Sequence, residues 1–423
     1  MKYSVITSLI IFTSLLLFSS CNKEDIKIAR YYSVNISLLI PEEEAEYKEK
    51  VEQTTIEIVN QQTSHKYELT GEYYQDVWVA EIPSGEYNIS AILKLKEDEN
   101  SEESILSFNG KANSVGVYSD NKVSLALKSV KPSPLIFKEI YYSMTKATTG
   151  DQYTNDQFYE IYNNSKTTQY LDNCILARTQ GAGSAVIPCR WIDANGEILM
   201  EYPADSYIAG FVGDGSGKKF PLEPGKSVVI AYQAKDHRSQ INPNSVDLSN
   251  ANYEVNISDY VTSYANNPAV PDMSIITKSG DMTITFWMLP YSGTSAILAK
   301  FPDNIKLKEY AADMANYKTI PFQTVNTTLY LMVPQDYVMD GVNVVGVDPA
   351  KRQVQLRAEV DAGMVTNSAV YNGKSIKRKV KSVVNGRVVY QDTNNSSNDF
   401  LTDQTPTPGV DANGNIINNI DKE

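Results

Sequence analysis

The sequence predicts an all-β protein built from two β-sandwich domains, the second enlarged by long loop insertions. Three observations point there. Short segments of alternating apolar and polar residues recur from Tyr31 onward, with the two-residue period of half-buried strands. Gly, Pro, Asn and Asp clusters separate them, and Lys131-Pro132-Ser133-Pro134 interrupts them once with two prolines that forbid a central strand. At 423 residues and 42% hydrophobic content, the chain is long enough and apolar enough for more than one core.

The first twenty residues stand apart. Lys2 precedes an apolar run from Val5 to Phe18, followed by Ser19, Ser20 and Cys21, which is too short to span a bilayer and has the form of an export signal. LFSSC at 17–21 resembles the lipobox of bacterial lipoproteins. That resemblance implies cleavage before Cys21 and acylation of the new N-terminal cysteine. At about 0.8 kcal/mol per buried CH₂, several acyl chains make an anchor that does not let go. Residues 21–30 then read as a tether, and Asn22-Lys23-Glu24-Asp25 resembles the signal that sends lipoproteins of some Gram-negative bacteria to the outer face of the outer membrane.

Loss of residues 1–20 removes one lysine and leaves 37 basic against 51 acidic residues, a net charge of −14. Such a chain repels phosphate backbones, so nucleic acid is not an expected partner. The basic cluster Lys374–Lys381 alternates with apolar residues and reads as a solvated strand face.

The first domain is placed at 31–130. It opens with YYSVNISLLIP, crosses a helix-compatible acidic stretch at Glu42–Gln53, and continues through TTIEIVN, HKYELTG, DVWVAEIPSGEYNISAILKL, SILSFNGKANSV and NKVSLALKSV. Within it, Trp78, Ala80, Ile82, Pro83, Ser84, Gly85, Tyr87 and Ile89 resemble the strand-turn-strand corner of carboxypeptidase-regulatory-like, or transthyretin-like, domains. The resemblance implies a structural or adhesive module with Trp78 and Tyr87 in its core.

The second domain is placed at 135–409, with a flexible tail at 410–423. LIFKEIYYS at 135–143 and QFYEIYNNSKTTQYLDNCILA at 157–177 read as strands with one slip of register, broken where Asn163, Asn164 and Ser165 bond the local backbone. With FPLEPGKSVVIA (220–231), GDMTITFWMLPYSG (280–293), GKSIKRKV (373–380) and TPTPG (405–409), these pieces are similar, in order, to the lamin-tail domain, an immunoglobulin-like sandwich. The span exceeds a minimal domain of about one hundred residues. The surplus falls in insertions at 191–219, 232–278 and 301–372, polar segments of the kind a rigid scaffold presents together for binding. Leader, corner motif, expanded core and the late run YQDTNNSSNDF at 390–400 together resemble an uncharacterised family of surface lipoproteins from gut-type Gram-negative bacteria. Its members accompany outer-membrane receptors for nutrient uptake, which implies a receptor protein, a glycan or a nutrient as partner.

Residues able to carry chemistry are sparse. Only His65 and His237 are present, in different domains, which disfavours a histidine triad or a zinc site. Cys174 and Cys189 flank a Gly-Ala-Gly turn symmetrically and could bridge across a hairpin, though a one-residue bulge would leave two free thiols. Asp392, Asn394, Ser396 and Asp399 are spaced superficially like a calcium loop, but lack its central Gly and terminal Glu, and capping of backbone groups is the competing reading. No cofactor is expected beyond that structural calcium. Asp193-Ala194-Asn195-Gly196 reads as a turn. The 28 tyrosines include the pairs Tyr31/Tyr32, Tyr73/Tyr74 and Tyr141/Tyr142, each expected to place one ring in the core and one outside. The expectation is therefore a surface-exposed outer-membrane lipoprotein that binds rather than catalyses. The alternatives are a polymer hydrolase, whose acidic residues from 232–278 and 301–372 would share a cleft, and a structural or adhesive subunit of an outer-membrane complex.

Overall fold

The computed structural model describes residues 30–96, 107–130, 133–180, 189–280, 283, 285–287, 289, 293–323, 327–349 and 352–419. The leader, Cys21 and most of the tether lie outside the described residues.

The fold is all-β. The first sandwich contains β1 (Tyr31–Leu39), β2 (Val51–Asn60), β3 (Lys66–Gly71), β4 (Val77–Pro83), β5 (Gly85–Leu95), β6 (Ser107–Val117), β7 (Asn121–Ala126) and β8 (Lys128–Val130). A three-stranded sheet β4-β1-β7 faces a five-stranded sheet β3-β2-β5-β6-β8. The alternation seen in sequence sets the burial. Val34, Ile36 and Leu38 of β1 meet Ile56, Ile58, Ile89, Ala91 and Leu93 in one core, with Trp78 and Tyr87 inside it. The acidic stretch makes a 3₁₀ helix only over Glu42–Lys50, and β2 begins directly after it.

The second sandwich contains β9 (Leu135–Tyr141), β10 (Thr145–Lys146), β11 (Gln152–Tyr153), β12 (Phe158–Asn163), β13 (Gln169–Tyr170), β14 (Cys174–Thr179), β15 (Glu201–Gly210), β16 (Pro221–Leu222), β17 (Ser227–Ala231), β18 (Tyr253–Glu254) and β19 (Ser274–Ser279). It continues with β20 (Thr294–Lys300), β21 (Tyr317–Lys318), β22 (Tyr330–Pro334), β23 (Val338–Val344), β24 (Ser375–Arg378), β25 (Val380–Val384), β26 (Arg387–Tyr390) and β27 (Phe400–Gln404). Short helices α1 (Leu307–Ala312), α2 (Ala358–Asp361) and α3 (Ser396–Asp399) lie in its loops. One sheet runs β18-β17-β12-β9-β24-β27; the other runs β21-β22-β15-β14-β20-β23, with β19 also paired to β15. Phe137, Ile140, Tyr159, Ile161, Val228 and Ile230 of the first pack against Leu176, Tyr207, Ala209, Leu298 and Val342 of the second.

Both sheets are also covered on their outer faces, which the sequence did not lead us to expect. α1, Leu356 and Val360 from 301–372 seal Ile175, Ile208 and Ile297, and Val246, Leu248, Ala251 and Val270 from 232–278 seal Tyr141, Phe158 and Val229. Hence β9 and β12 are buried along their whole length rather than on one face. Tyr141 and Tyr142 are both interior, whereas Tyr31 and Tyr73 are exposed as expected of one ring in each pair. The slip of register is a bulge between Glu160 and Ile161, opposite Lys138.

The tail is not loose where it is described. Ile417 is buried against Ile136, Tyr162, Val388 and Tyr390, and its carbonyl accepts the Ser227 N–H at 3.0 Å. An apolar side chain at the right distance from the Gly409 turn outweighs the disorder expected of a chain end. The two sandwiches are bonded to each other. Asn109 Nδ2 donates to the Thr393 and Asn394 carbonyls at 2.7 and 3.2 Å, and Lys111 Nζ to those of Leu356 and Asp361 at 2.6 and 2.9 Å.

Candidate functional site

Apart from Cys21, the candidate residues lie among the described ones. His65 is exposed at the β2–β3 turn, its ring against Tyr67. His237 is buried: its Nδ1 lies 2.7 Å from the Tyr153 hydroxyl and its Nε2 lies 2.8 Å from the Gln233 carbonyl. Burial lowers its pKa to about 4, so the ring is neutral and serves as a strut between loops.

Cys174 and Cys189 are free thiols in the structure, the second of the two readings left open above. β14 pairs not with the segment around Cys189 but with β15 and β20. Cys174 therefore sits in the inter-sheet core, while Cys189 packs beside Trp191, Ile320, Tyr330 and Met332. The turn between them, 181–188, lies outside the described residues.

The calcium candidates are held by protein donors. The Asp399 carboxylate accepts the Thr393 N–H and hydroxyl, each at 2.8 Å. Asp392 accepts the Ser133 N–H at 2.9 Å and an Arg378 N–H at 3.0 Å. Asn394 donates to the Glu359 carbonyl at 2.7 Å. Positive charge comes from Arg378, which is buried and donates from Nε to the Phe137 carbonyl at 2.9 Å. Of the cations in the Lys374–Lys381 cluster Arg378 alone is buried, because β24 lies inside the six-stranded sheet between β9 and β27, whereas Lys374, Lys377 and Lys379 are half-buried and Lys381 is exposed. Among the described residues no group of three or more His, Cys, Asp or Glu side chains is arranged to hold a metal ion.

The long insertions do converge, at a fork in the larger sheet. Along one edge of β15, residues 201–204 pair with β22 and residues 206–210 pair with β19. Ser206 turns the chain at the fork with φ 73°, a conformation that is uncommon outside glycine. Ser279 fastens the junction: its Oγ donates to the Ala204 carbonyl at 2.8 Å and accepts the Leu331 N–H at 2.7 Å. Gly280 follows at φ 76°, where a Cβ would lie 2.2 Å from Asp205 Oδ1, so glycine is required.

Beside this fork lies a cleft of about 490 Å³. Lys278 and Gly280 enter it from the end of β19, Met314 and Tyr317 from the 3₁₀ turn and β21, and Thr327, Thr328 and Leu329 from the approach to β22. Tyr317 is oriented by its hydroxyl, which donates to the Ala311 carbonyl at 2.8 Å and lies 3.2 Å from Thr277 Oγ1. The Lys278 ammonium stands 5.0 Å from the Tyr207 ring centroid, and that ring meets Tyr260, which is half exposed. Between the two lining segments in sequence, Phe322 is 75% exposed with φ 58°. For a bulky side chain that backbone costs about 1–3 kcal/mol, a strain that clusters at binding sites. A second cavity, between β2, β5, β6 and the α2 region, measures about 20 Å³ and has room for little more than one water molecule.

The cleft's described lining contains no carboxylate. Buried acids of the insertions act instead as tethers: Glu254 accepts the Asn267 N–H at 2.8 Å and the Tyr264 hydroxyl at 2.9 Å, and Asp361 accepts the Asn343 and Ser396 N–H groups, each at 2.7 Å. The sequence marked the insertions as presenting loops but not the fork, because Ser206, Gly280 and Leu329 carry no local motif.

Comparison with known proteins fits this architecture. Residues 223–407 match a family described as "Protein of unknown function (DUF4876)". The chain is similar to a crystal structure of a DUF4876 family protein from Bacteroides thetaiotaomicron VPI-5482, with 26% identity, 89% of this chain and 96% of that chain covered, and a TM-score of 0.56. A structure from Bacteroides ovatus ATCC 8483 described as a candidate adhesin covers 39% of this chain and 59% of its own at 11% identity, and its TM-score of 0.18 carries no argument. No curated protein matches the sequence.

Proposed function

We propose that the protein is a lipid-anchored, surface-exposed accessory protein that binds a ligand in the cleft at the β15 fork and catalyses no reaction there. Cys21 carries the acyl chains. The first sandwich, transthyretin-like by its corner motif, spaces the larger lamin-tail-like sandwich from the membrane. The reading rests on one observation: residues from two insertions distant in sequence, Lys278 at the end of one and Met314 to Leu329 in the other, line a single open cleft. Its mixture of ammonium, hydroxyl and apolar groups suits recognition. An outer-membrane receptor is the proposed neighbour that receives the ligand.

Two measurements test it. A membrane-impermeant label applied to intact cells should mark the wild-type protein, and Cys21→Ala should abolish its recovery in outer-membrane fractions. Screening the purified chain on carbohydrate and peptide arrays should give a signal that Leu329→Asp removes. Signals that this substitution leaves unchanged would place binding elsewhere.

A further inference from the structure

The six-stranded sheet buries an amine against a carboxylate. Lys138 Nζ of β9 donates to Glu160 Oε2 of β12 at 2.8 Å, and the two side chains are 5% and 0% exposed. We propose that this pair condenses after folding into an isopeptide bond, a covalent cross-link between β9 and β12 that the chain makes in itself. The bulge that leaves Lys138 without a partner in register sets it beside Glu160 while Glu139 pairs opposite Glu160, so three ionisable groups meet at one spot. Two residues along each strand, Ile136 and Tyr162 pack with Val388, Tyr390 and Ile417, which closes this face to water.

Each group has a part in the reaction. The Lys138 amine is the nucleophile and the Glu160 carboxyl carbon the electrophile. Ser227 Oγ donates to Glu160 Oε1 at 2.6 Å, the oxygen that gains negative charge as the carbon becomes tetrahedral. Glu139 is buried and lies close enough to Lys138 and Glu160 for their charges to act on it; burial pushes its carboxyl up, which makes it a better proton acceptor. The ammonium gives one proton to Glu139, Nζ bonds to Cδ of Glu160, and the nitrogen gives up a second proton. Both protons leave with Oε2 as water, and Glu139 returns to its starting state. No oxidant, reductant or cofactor is consumed. Contact between amine and carboxyl replaces a bimolecular encounter, and effective molarities reach about 10⁵–10⁸ M in well-oriented cases. A buried ion pair keeps the desolvation penalty of both charges, which an amide does not. The Arg378 cluster has no such outlet, because a guanidinium stays protonated.

Tryptic digestion of the denatured mature protein, purified from membranes and followed by mass spectrometry, tests the proposal. The cross-link blocks cleavage after Lys138, so residues 129–146 should appear joined to 147–166, lighter by one water than the two together. Lys138→Met should yield the two segments apart. Glu160→Gln should still yield the joined peptide, with ammonia as the leaving group. Glu139→Gln should lower its yield about tenfold, with circular dichroism showing that the variant is folded. Recovery of 129–138 and 139–146 as free peptides from the wild type, with 147–166 unmodified, would overturn the cross-link. A joined peptide running through Lys377 instead of Lys138 would overturn the assignment of the amine, and an undiminished yield in Glu139→Gln would remove that residue from the reaction.

Discussion

Arg378 and Asp399 meet at 3.5 Å inside an enclosure that also holds Asp340 and Asp392, so one buried guanidinium faces three buried carboxylates. The cluster joins β24 to β23 and to α3 and the loop before it, and, through the Ser133 N–H on Asp392, to the segment entering the second sandwich. An excess of negative charge this deep is tolerated because backbone N–H groups and Arg378 share it.

The cluster should make stability depend on pH. Burial pushes Asp340 up to about 7 and Asp399 up to about 6, with Arg378 acting in the opposite direction. Both values exceed the unfolded one, so the folded state binds more protons between about pH 4 and pH 7. The stabilisation is complete below pH 4 and is lost as pH rises through 6 to 7. His237, whose pKa is lowered to about 4, contributes in the opposite direction over part of this range. The test is therefore the difference between two profiles: in thermal melting from pH 4 to pH 8, Asp340→Asn should gain on the wild type as pH rises, and a constant difference would contradict the assignment.

Removing Arg378 should be severe. Arg378→Ala leaves three carboxylates without their common partner, and losing one side of a buried ion network typically costs about 3–5 kcal/mol. Urea unfolding followed by circular dichroism measures it, and Arg378→Lys should recover only part, since an ammonium cannot reproduce the fork of donors reaching Phe137, Gln391 and Asp392.

Gly280→Ala should damage the fork. The φ of 76° alone costs an L-residue about 1–2 kcal/mol, and the new methyl would displace Asp205, which pairs with Arg178 at 2.8 Å. Equilibrium unfolding should show a loss above about 2 kcal/mol when strain and displacement combine.

Lys111→Met should loosen the contact between the sandwiches. Two buried carbonyls would lose their donor, at about 1–3 kcal/mol, and limited proteolysis should cut the inter-domain segment at 131–134 faster.

The thiols should behave as free cysteines of unequal reach. Burial raises Cys174 to about 12, so it should resist alkylation until the chain is denatured. Without prior reduction, mass spectrometry after denaturing alkylation should then find both Cys174 and Cys189 modified.

The fold class was legible because the strands keep their two-residue period, down to the slip at Lys138 that becomes a bulge. The second layer of covering was not legible. Leu248, Val270, Leu307 and Val360 sit in segments too polar on average to announce a core, yet each seals an outer face. Arg378 misled for the same reason: a charge among lysines reads as solvated until Asp340, from an earlier strand, and Asp392 and Asp399, from a later loop, come together around it. The cleft depends on β22 and β19 sharing one edge of β15, a pairing that no local pattern encodes.

β9 lies between β12, its near neighbour in sequence, and β24, more than two hundred residues later. The central strand of the sheet therefore waits for its second partner until nearly all of the chain has been made. Such long-range closure is slow. The six-stranded sheet therefore stays open on one side of β9 until β24 has been made.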